Sequence, residues 1–440
     1  MSRARPRWFI WAAAALLGTA CADADDGDGA GRWDLRTGAR EALAHPPVLG
    51  AAPCGREATP EDGATGAADA ADGSFVGREG AVLVLRGRRW RGVGANLYYL
   101  QDELGTGEEA RAERVGRALD ELGCVGATVV RTLAFNDLES KVSVIRAGPG
   151  RYAEKGLVAL DRAVAEVKRR GMRVLLPLVN NHGDYGGLPA YARWAGKEAE
   201  DFFGDAQMMG YWKDYLAMLA GRVNTVTGVA YRDEPAILGW ELANELRCRS
   251  CRGTHRYVDT VRELAAFARA QLPRQLIADG GEGMDDVPSL YPGLSNDYVA
   301  RGDEGASFSG LLGVPELDLV SYHLYPDRWQ IGDGMDARIW IDSHELLARM
   351  AGKVAYLGEF GEAFAPAMRD EALAPLFSGW LAQVHAERDG SLSLLWQWVP
   401  AERLAGPEDD GYSVSYSAHP RTAGVLAWWS RAVPRALSAD

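Results

Sequence analysis

Basic side chains are in the minority in this 440-residue sequence, where 48 Lys and Arg face 61 Asp and Glu for a net charge of −13. Nucleic-acid binding needs clustered Lys and Arg to neutralise phosphates, and an anionic lipid surface attracts the same cations. The composition therefore argues against both kinds of partner and suits a neutral polymer. Most of the 14 Trp and 16 Tyr belong in a core, but their number also fits stacking against sugar rings.

Long apolar runs are almost absent. One run, Trp8–Leu17, follows three arginines and precedes small residues that end at Cys21. It is too short to span a bilayer and is typical of a secretory signal peptide, which we place at residues 1–21. The segment before Cys21 also resembles a bacterial lipoprotein cleavage site. The sequence therefore predicts a protein that is either secreted or held on the bacterial outer surface by a lipid on Cys21.

Cysteine is also scarce, and the five residues are Cys21, Cys54, Cys124, Cys248 and Cys251. The last two form a Cys-x-x-Cys pair. Zinc would need two more ligands, and His255 is the only nearby candidate. A redox motif would need a thioredoxin-like context, which the sequence lacks, so a short local disulfide is favoured. Cys124 ends an amphipathic helix and is expected to be a buried apolar residue, while the sequence leaves open whether Cys54 and Cys124 pair or remain free.

The chain divides into a tether and one folded domain. Residues 22–74 are rich in Ala, Gly, Asp and Pro without periodic hydrophobicity, which predicts a disordered tether. The folded domain is placed at residues 75–440. Strand-like segments alternate there with helical ones such as Glu108–Gly123, Gly156–Arg170, Tyr211–Val223 and Tyr257–Gln271.

Eight strands are predicted in this domain: Trp90–Ala95, Ala127–Leu133, Arg173–Val179, Ile237–Leu242, Leu276–Asp279, Leu317–His323, Val354–Glu359 and Leu392–Trp398. Eight strands separated by helices favour an α/β fold of the (β/α)8 TIM-barrel type. An open sheet is less favoured, because no glycine-rich phosphate loop follows the first strand.

Polar side chains collect at the carboxyl ends of these strands, where such barrels place their active sites. They are Arg131, Asn244, Glu245, Glu282, His323, Tyr325, Glu359 and Trp396. Singly, a glutamate at a strand end is more often a helix cap or a surface charge, and a histidine or tryptophan there is more often core. Together, two carboxylates from separate strands with these partners favour a site.

This set suits hydrolysis of a glycosidic bond, which needs one protonated and one ionised carboxyl group. Asn244 beside Glu245 can hold a sugar hydroxyl. Arg131 and Tyr325 can donate hydrogen bonds to Glu359 and keep it anionic, and Trp396 can form the floor of the sugar site. The predicted chemistry needs no metal ion and no cofactor.

Six segments resemble glycoside hydrolase family 5 of clan A, in its fungal- and plant-type endo-β-1,4-mannanase subfamily. They are RVNTVTGVAYRDEPAILGWELANELR (222–247), VVRTLAFND (129–137), LVNNHGDYGG (178–187), SYHLYPDRW (321–329), LGEFG (357–361) and LLWQW (394–398). The resemblance covers about Phe75 to Ala436.

The resemblance implies a retaining enzyme with Glu245 as general acid/base and Glu359 as nucleophile. Five residues then match those around the reactive sugar: Arg131, Asn244, His323, Tyr325 and Trp396. Arg247 matches an arginine on the leaving-group side, and Glu282 an acidic residue near the cleft. Cys248 and Cys251 match a local disulfide of some members.

Two positions depart from the family pattern. Leu246 stands where the motif usually has proline, which changes backbone stiffness beside the acid. His182 stands where many members carry an aromatic residue on the glycone side, which predicts a weaker stacking platform there.

The leading hypothesis is a monomeric endo-β-1,4-mannanase that acts on mannan, glucomannan or galactomannan by double displacement. The two catalytic carboxyls are then expected to lie about 5–5.5 Å apart. An exo-acting β-mannosidase, a transglycosylase or a β-glucanase of the same family would use the same residues. A catalytically silent polysaccharide-binding surface protein is disfavoured because both carboxylates are present.

Overall fold

The computed structural model describes residues 74–365, 368–388, 390–404 and 409–435. The predicted signal peptide, nearly all of the tether, and both Cys21 and Cys54 lie outside these ranges. Export, lipid attachment and the boundary between signal and tether therefore stay predictions. Within the described ranges, no helix has the length and apolarity needed to cross a membrane.

Thirteen strands are found in the described residues: β1 Gly77–Glu79, β2 Val82–Leu85, β3 Arg88–Trp90, β4 Gly92–Asn96, β5 Val129–Arg131, β6 Arg146–Gly148, β7 Arg151–Tyr152, β8 Arg173–Pro177, β9 Ile237–Glu241, β10 Leu276–Ala278, β11 Leu319–Leu324, β12 Val354–Phe360 and β13 Leu392–Leu395. Eight of them form a closed barrel in the order β4-β5-β8-β9-β10-β11-β12-β13, with β13 pairing β4. Every pairing in this barrel is parallel. The predicted (β/α)8 fold and its eight strands are confirmed.

Eleven α-helices are found in the same residues: α1 Leu100–Thr106, α2 Glu109–Cys124, α3 Glu154–Arg169, α4 Gly187–Ala195, α5 Ala206–Gly221, α6 Arg256–Gln271, α7 Phe308–Leu311, α8 Pro326–Trp329, α9 Met335–Met350, α10 Arg369–Ala382 and α11 Pro420–Arg435. In α2, Val115, Leu119 and Leu122 are buried at helical spacing, as predicted. The side chain of Asp205 caps α5 by accepting a hydrogen bond from the Met208 amide at 2.9 Å.

The barrel is filled by apolar side chains and closed at its amino-terminal end by the small antiparallel sheet β1–β3. Leu83, Leu85 and Trp90 of this sheet form one buried cluster with inward-pointing barrel residues such as Leu238 and Leu394. The filled interior confines polar chemistry to the opposite end of the barrel, where the strands have their carboxyl termini.

The cysteines give one confirmation and one correction. Cys248 and Cys251 form a disulfide with their Cα atoms 5.2 Å apart, as predicted. Cys124 was expected to be a buried apolar residue, and this is wrong, because it is disulfide-bonded and only half-buried. Cys124 is the last residue of α2 and is not among the buried residues of the helix, which lie on its apolar face.

Candidate active site

Strand register brings the polar residues together at the carboxyl end of the barrel. Asn96 at the end of β4 pairs with Arg131 at the end of β5. On the other side of the barrel, a register shift in the β11–β12 pairing sets His323 opposite Glu359. Four polar side chains thus point into one region because each lies at the last or nearly the last position of its strand.

Glu359 is held by two strong donors. Arg131 Nη1 donates to Glu359 Oε1 at 2.6 Å, and the Tyr325 hydroxyl donates to Glu359 Oε2 at 2.6 Å. The carboxyl is 3% exposed. Both donors were expected from the sequence, and they fix the orientation of the carboxyl group.

Glu245 follows β9 in a loop where its backbone takes a left-handed conformation with φ of 56°. A non-glycine residue there is strained, and the strain persists only where its surroundings fix the conformation. The Glu245 amide donates to Gly280 O at 2.8 Å, which ties it to the next strand. Its side chain contacts two histidines: His323 Nδ1 lies 2.8 Å from Oε1 and His182 Nε2 lies 3.2 Å from Oε2.

The two carboxyl groups lie close together. One oxygen of Glu245, a ring nitrogen of His323 and one oxygen of Glu359 all lie within 4.8 Å of one another. Such a trio could also hold a metal ion, but Glu359 already accepts from the Arg131 cation, which would repel a second cation. The spacing fits the range of about 5–5.5 Å of retaining glycosidases better than the wider spacing of about 6.5–9.5 Å of inverting ones.

Arg131 is the centre of a buried network that includes more side chains than the sequence predicts. Besides Glu359 it donates to Asn244 Oδ1 at 2.7 Å and to Asn96 Oδ1 at 3.0 Å. It also donates to Glu241, through Nε and Nη2, at 2.6 to 3.0 Å. The Tyr356 hydroxyl donates to the same Glu241 at 2.8 Å.

Asn96, Glu241 and Tyr356 were missed as site residues. The signal for Glu241 was available, since it is a charged residue within the apolar strand Ile237–Glu241 and is fully buried. A buried charge needs a partner, so a cation or hydrogen-bond donor beside Glu241 was to be expected, although the sequence does not say which one. Nothing in the sequence alone distinguishes Asn96 or Tyr356 from ordinary strand residues.

Trp396 lies at the edge of this region and is partly exposed. Its ring stacks on Tyr98, with centroids 5.4 Å apart and planes 15° from parallel. The indole Nε1 donates to Asp410 Oδ2 at 2.8 Å. These contacts hold the Trp396 ring in place from two sides, which suits the predicted role as a floor for a sugar ring.

Arg247 and Glu282 form a bidentate ion pair, with Nε and Nη2 donating to the two carboxylate oxygens at 2.6 Å each. Glu304 lies on the far side of the arginine, 3.5 Å from Nη1. The Glu282 carbonyl accepts from the His323 amide at 3.0 Å, so the pair adjoins the carboxylate cluster. The structure thus brings all nine predicted site residues to the same end of the barrel.

The titrating groups of the cluster act on one another. Burial acts to raise the pKa of Glu245, but hydrogen bonds with His182 and His323 outweigh it and hold that pKa below its ordinary value. Burial raises the pKa of Glu359 and the Glu245 charge adds to this, despite His323, Arg131 and Tyr325. The two donors expected for Glu359 are thus present, and both oppose the effect of burial on its pKa.

The pKa values of both histidines in the cluster are raised. The hydrogen bond with Glu245 raises the pKa of His182. Burial lowers the pKa of His323, but Glu359 and Glu245 more than offset this and raise it. Because these groups interact strongly, each proton that the cluster gains or loses is shared among them. The observed pKa values are therefore those of the whole cluster and not of single side chains.

The two departures from the family pattern lie beside Glu245. Leu246 is 4% exposed, so an apolar side chain takes the place of the proline ring inside the loop. His182 lies against Glu245, where Arg247 and Glu282 also act on it, and its place on the glycone side stays a prediction. The loop after β8 reaches across to the loop after β9, and this crossing could not be read from the motif.

A paired carboxyl site at the carboxyl end of a closed parallel barrel defines the class, which is that of the (β/α)8 glycoside hydrolases. The model of the family described as "GH family 5 beta-mannosidase-like" matches residues 73–346. The chain belongs to this family of glycoside hydrolases.

Named relatives agree with this membership. A mannan endo-1,4-beta-mannosidase 2 of Arabidopsis thaliana is 32% identical over 355 residues, which are 77% of this chain and 81% of the relative. A mannan endo-1,4-beta-mannosidase 8 of Oryza sativa is 33% identical over 370 residues, 79% of this chain and 96% of the relative.

Solved structures give the same picture. The endo-1,4-beta-mannanase of Rhizomucor miehei is 26% identical to this chain and superposes with a TM-score of 0.71. The match covers 82% of this chain and 100% of that chain. The endo-1,4-beta-D-mannanase of Thermotoga petrophila is 28% identical with a TM-score of 0.70, covering 78% of this chain and 100% of that chain.

Proposed function

We propose that the chain is a retaining endo-β-1,4-mannanase, in which Glu359 is the nucleophile and Glu245 the general acid/base. The observation that carries the mechanism is the separation of at most 4.8 Å between an oxygen of Glu359 and one of Glu245. That gap leaves no room for the water that an inverting enzyme places between sugar and base.

In the first step, a Glu359 oxygen attacks the anomeric carbon while the bond to the departing sugar oxygen breaks. The departing oxygen takes a proton from the Glu245 carboxyl, which becomes a carboxylate. A glycosyl ester on Glu359 is formed. Arg131 and Tyr325, both 2.6 Å from the Glu359 oxygens, orient the carboxyl group for this attack.

In the second step, water attacks the same anomeric carbon from the face that the leaving group vacated. Glu245 now takes the proton of that water, and the ester bond to Glu359 breaks. Two displacements at one carbon retain its configuration. Asn244, fixed by Arg131 and Asn180, lies beside Glu245 and supplies an amide to a sugar hydroxyl.

The choice of mannan as substrate rests on the relatives, since four of those named above are endo-acting mannanases by description. Neutral mannan, glucomannan or galactomannan also suits a protein with a net charge of −13. Aromatic rings such as Trp396 offer stacking faces to a neutral sugar chain.

Product analysis tests this proposal. The purified chain is incubated with mannohexaose, galactomannan and carboxymethyl cellulose, beside Glu359→Ala as an inactive control. We expect short manno-oligosaccharides from the first two substrates and nothing from cellulose. Proton NMR of the first product formed should show the β-anomer, as double displacement requires.

Three other outcomes would each contradict one part of the proposed function. Mannose as the sole product would replace the endo mode with an exo mode, and a first product with the α-anomer would remove the double displacement. Mannan hydrolysis by Glu359→Ala at the wild-type rate would remove the nucleophile assignment.

A further inference from the structure

His182 touches the acid/base carboxyl on the oxygen that His323 does not use. Its Nε2 lies 3.2 Å from Glu245 Oε2, while His323 Nδ1 lies 2.8 Å from Oε1. Glu245 is therefore held between two imidazole rings. The two rings differ in access to water, because the His182 side chain is 39% exposed and that of His323 is fully buried.

The loop that carries His182 is fixed against the loop that carries Glu245. Asn181 N donates to Asn244 O at 3.0 Å, and Arg247 N donates to Asn181 Oδ1 at 3.0 Å. Asn244 Nδ2 donates to Asn180 Oδ1 at 3.1 Å. These three bonds fix the two residues that precede His182, so its contact with Glu245 is a built feature of the two loops.

The charges around the His182 ring favour its protonated form. Three charged side chains act on it: Glu245 and Glu282 favour the cation, and Arg247 opposes it. Arg247 is itself bound by Glu282 at 2.6 Å, which offsets much of its effect. The hydrogen bond with Glu245 is the largest contribution, and it raises the pKa of His182.

His323 is less suited to carry an exchangeable proton. Its Nε2 is buried and has no hydrogen-bond partner among the described residues. Protonation would place a second N–H at that atom, and a buried unpaired N–H is costly. The proton that exchanges with solvent is therefore better placed on the half-exposed ring of His182.

We propose that His182 is a positioning residue for Glu245, which orients the carboxyl and shares one proton with it. The pair alternates between protonated histidine with ionised glutamate and neutral histidine with protonated glutamate. When the glycosidic bond breaks, Glu245 gives its proton to the departing oxygen and His182 stays neutral. The water of the second step returns one proton to Glu245, so the pair ends as it began.

This inference rests on the proposed role of Glu245, and it has a kinetic consequence. The alkaline limb of kcat/KM reports loss of the last proton from the acid. With a shared proton, that limb follows the pair and lies near the raised pKa of His182. Without the imidazole of His182, it follows Glu245 with His323 as its remaining histidine partner.

The test compares the pH dependence of kcat/KM on mannohexaose for the wild type, His182→Phe and His182→Gln. We expect both variants to lose activity at alkaline pH, with the limb lower by about one pH unit. Asp184→Asn, an exposed change in the same loop, should leave the limb in place. On 2,4-dinitrophenyl β-mannobioside, whose leaving group needs no proton, both His182 variants should form the glycosyl ester at near the wild-type rate.

An unchanged or raised alkaline limb in both variants would overturn the shared proton. A wild-type limb in His182→Gln alone would also overturn it, because glutamine can donate a hydrogen bond but cannot titrate. Equal losses on the two substrates would reduce His182 to a structural role.

A second measurement does not depend on mannan. The ring of His182, identified by its absence in His182→Phe, is titrated by NMR in the wild type and in Glu245→Gln. We expect an elevated pKa that returns toward its ordinary value in Glu245→Gln. If mannan is not hydrolysed but the His182 pKa depends on Glu245 in this way, the proposed function is wrong and the proton sharing between His182 and Glu245 is still supported. If the His182 pKa is the same in both proteins, the pair fails.

Discussion

The Tyr325 hydroxyl opposes two effects that push a proton onto Glu359. Burial and the nearby Glu245 charge raise the pKa of Glu359, whereas the hydrogen bond from Tyr325 lowers it. This hydrogen bond is 2.6 Å long and is buried. Since a nucleophile must be ionised, this hydroxyl sets how acidic a solution the proposed enzyme tolerates.

Tyr325→Phe should therefore shift the acidic limb of kcat/KM to higher pH, because the folded carboxyl loses a donor that favours its charged form. At neutral pH, kcat/KM should fall by about 10- to 100-fold, the usual cost of a hydrogen bond to a charged group. The measurement is the pH profile of kcat/KM on mannohexaose from acid to neutral pH.

Tyr322→Phe is the matched control, because Tyr322 lies on β11, which Tyr325 directly follows, but donates to Glu345 instead, at 2.9 Å. It should leave the acidic limb where it is. An acidic limb that stays in place for Tyr325→Phe would show that this hydroxyl does not govern the ionisation of Glu359.

At the level of residues, the sequence predicted side chains that lie at strand ends and missed those that support them. Glu245, Glu359 and His323 could be identified because polar residues at the tips of apolar strands have no use in packing. Glu241 was missed because its role depends on the guanidinium of Arg131, which reaches it from another strand. The contact between His182 and Glu245 likewise depends on how two loops cross.

At the level of elements, the alternation of apolar strands and amphipathic helices was sufficient to predict the barrel. The small sheet β1–β3 was not predicted, since its strands have only three or four residues. Its contribution is to cover the amino-terminal end of the barrel. Leu83, fully buried in the cluster below the barrel strands, lies at the centre of this cover.

Leu83→Ala should lower the free energy of unfolding by about 2–5 kcal/mol, because it removes buried methyl groups and leaves a cavity. The values of kcat and KM at low temperature should not change, since the active site lies at the other end of the barrel. Urea unfolding followed by tryptophan fluorescence gives the first quantity and mannohexaose kinetics the second.

Val226→Ala serves for comparison, because this apolar residue is 57% exposed and its truncation should cost little. A loss of stability no larger for Leu83→Ala than for Val226→Ala would show that β1–β3 is not an integral part of the barrel core.

At the level of the whole molecule, buried carboxyl groups outside the proposed active site should determine how stability depends on pH. Burial raises the pKa of Glu345 to about 8 and that of Asp285 to about 7. Two histidines show the reverse shift, because burial lowers the pKa of His344 to about 4 and that of His385 to about 3. The two kinds of group act in different pH ranges.

The sign of each contribution follows from linkage. A carboxyl with a raised folded pKa stabilises the protein fully below its unfolded pKa, and this stability is lost as the pH rises through the folded value. A histidine with a lowered folded pKa contributes stability above its unfolded pKa, and this is lost as the pH falls. The histidines thus act below about pH 6.5, and the carboxyls act from about pH 4 up to about pH 8. For these four groups the two effects offset one another between about pH 4.5 and 6.5, and stability should fall on either side of that range.

Glu345→Gln should weaken the fall in stability on the alkaline side, because glutamine keeps an acceptor for Tyr322 but has no proton to lose. The free energy of unfolding is measured by urea titration at several pH values between about 5 and 8. The free energy of unfolding of the variant, relative to that of the wild type, should increase as the pH rises, by about 1–3 kcal/mol at the upper end of the range. Glu371→Gln, at a side chain that is 76% exposed, should run parallel to the wild type. If Glu345→Gln also ran parallel, Glu345 would not be the group whose ionisation opposes folding in this range, and the alkaline loss would have to come from Asp285 and the other buried carboxyls.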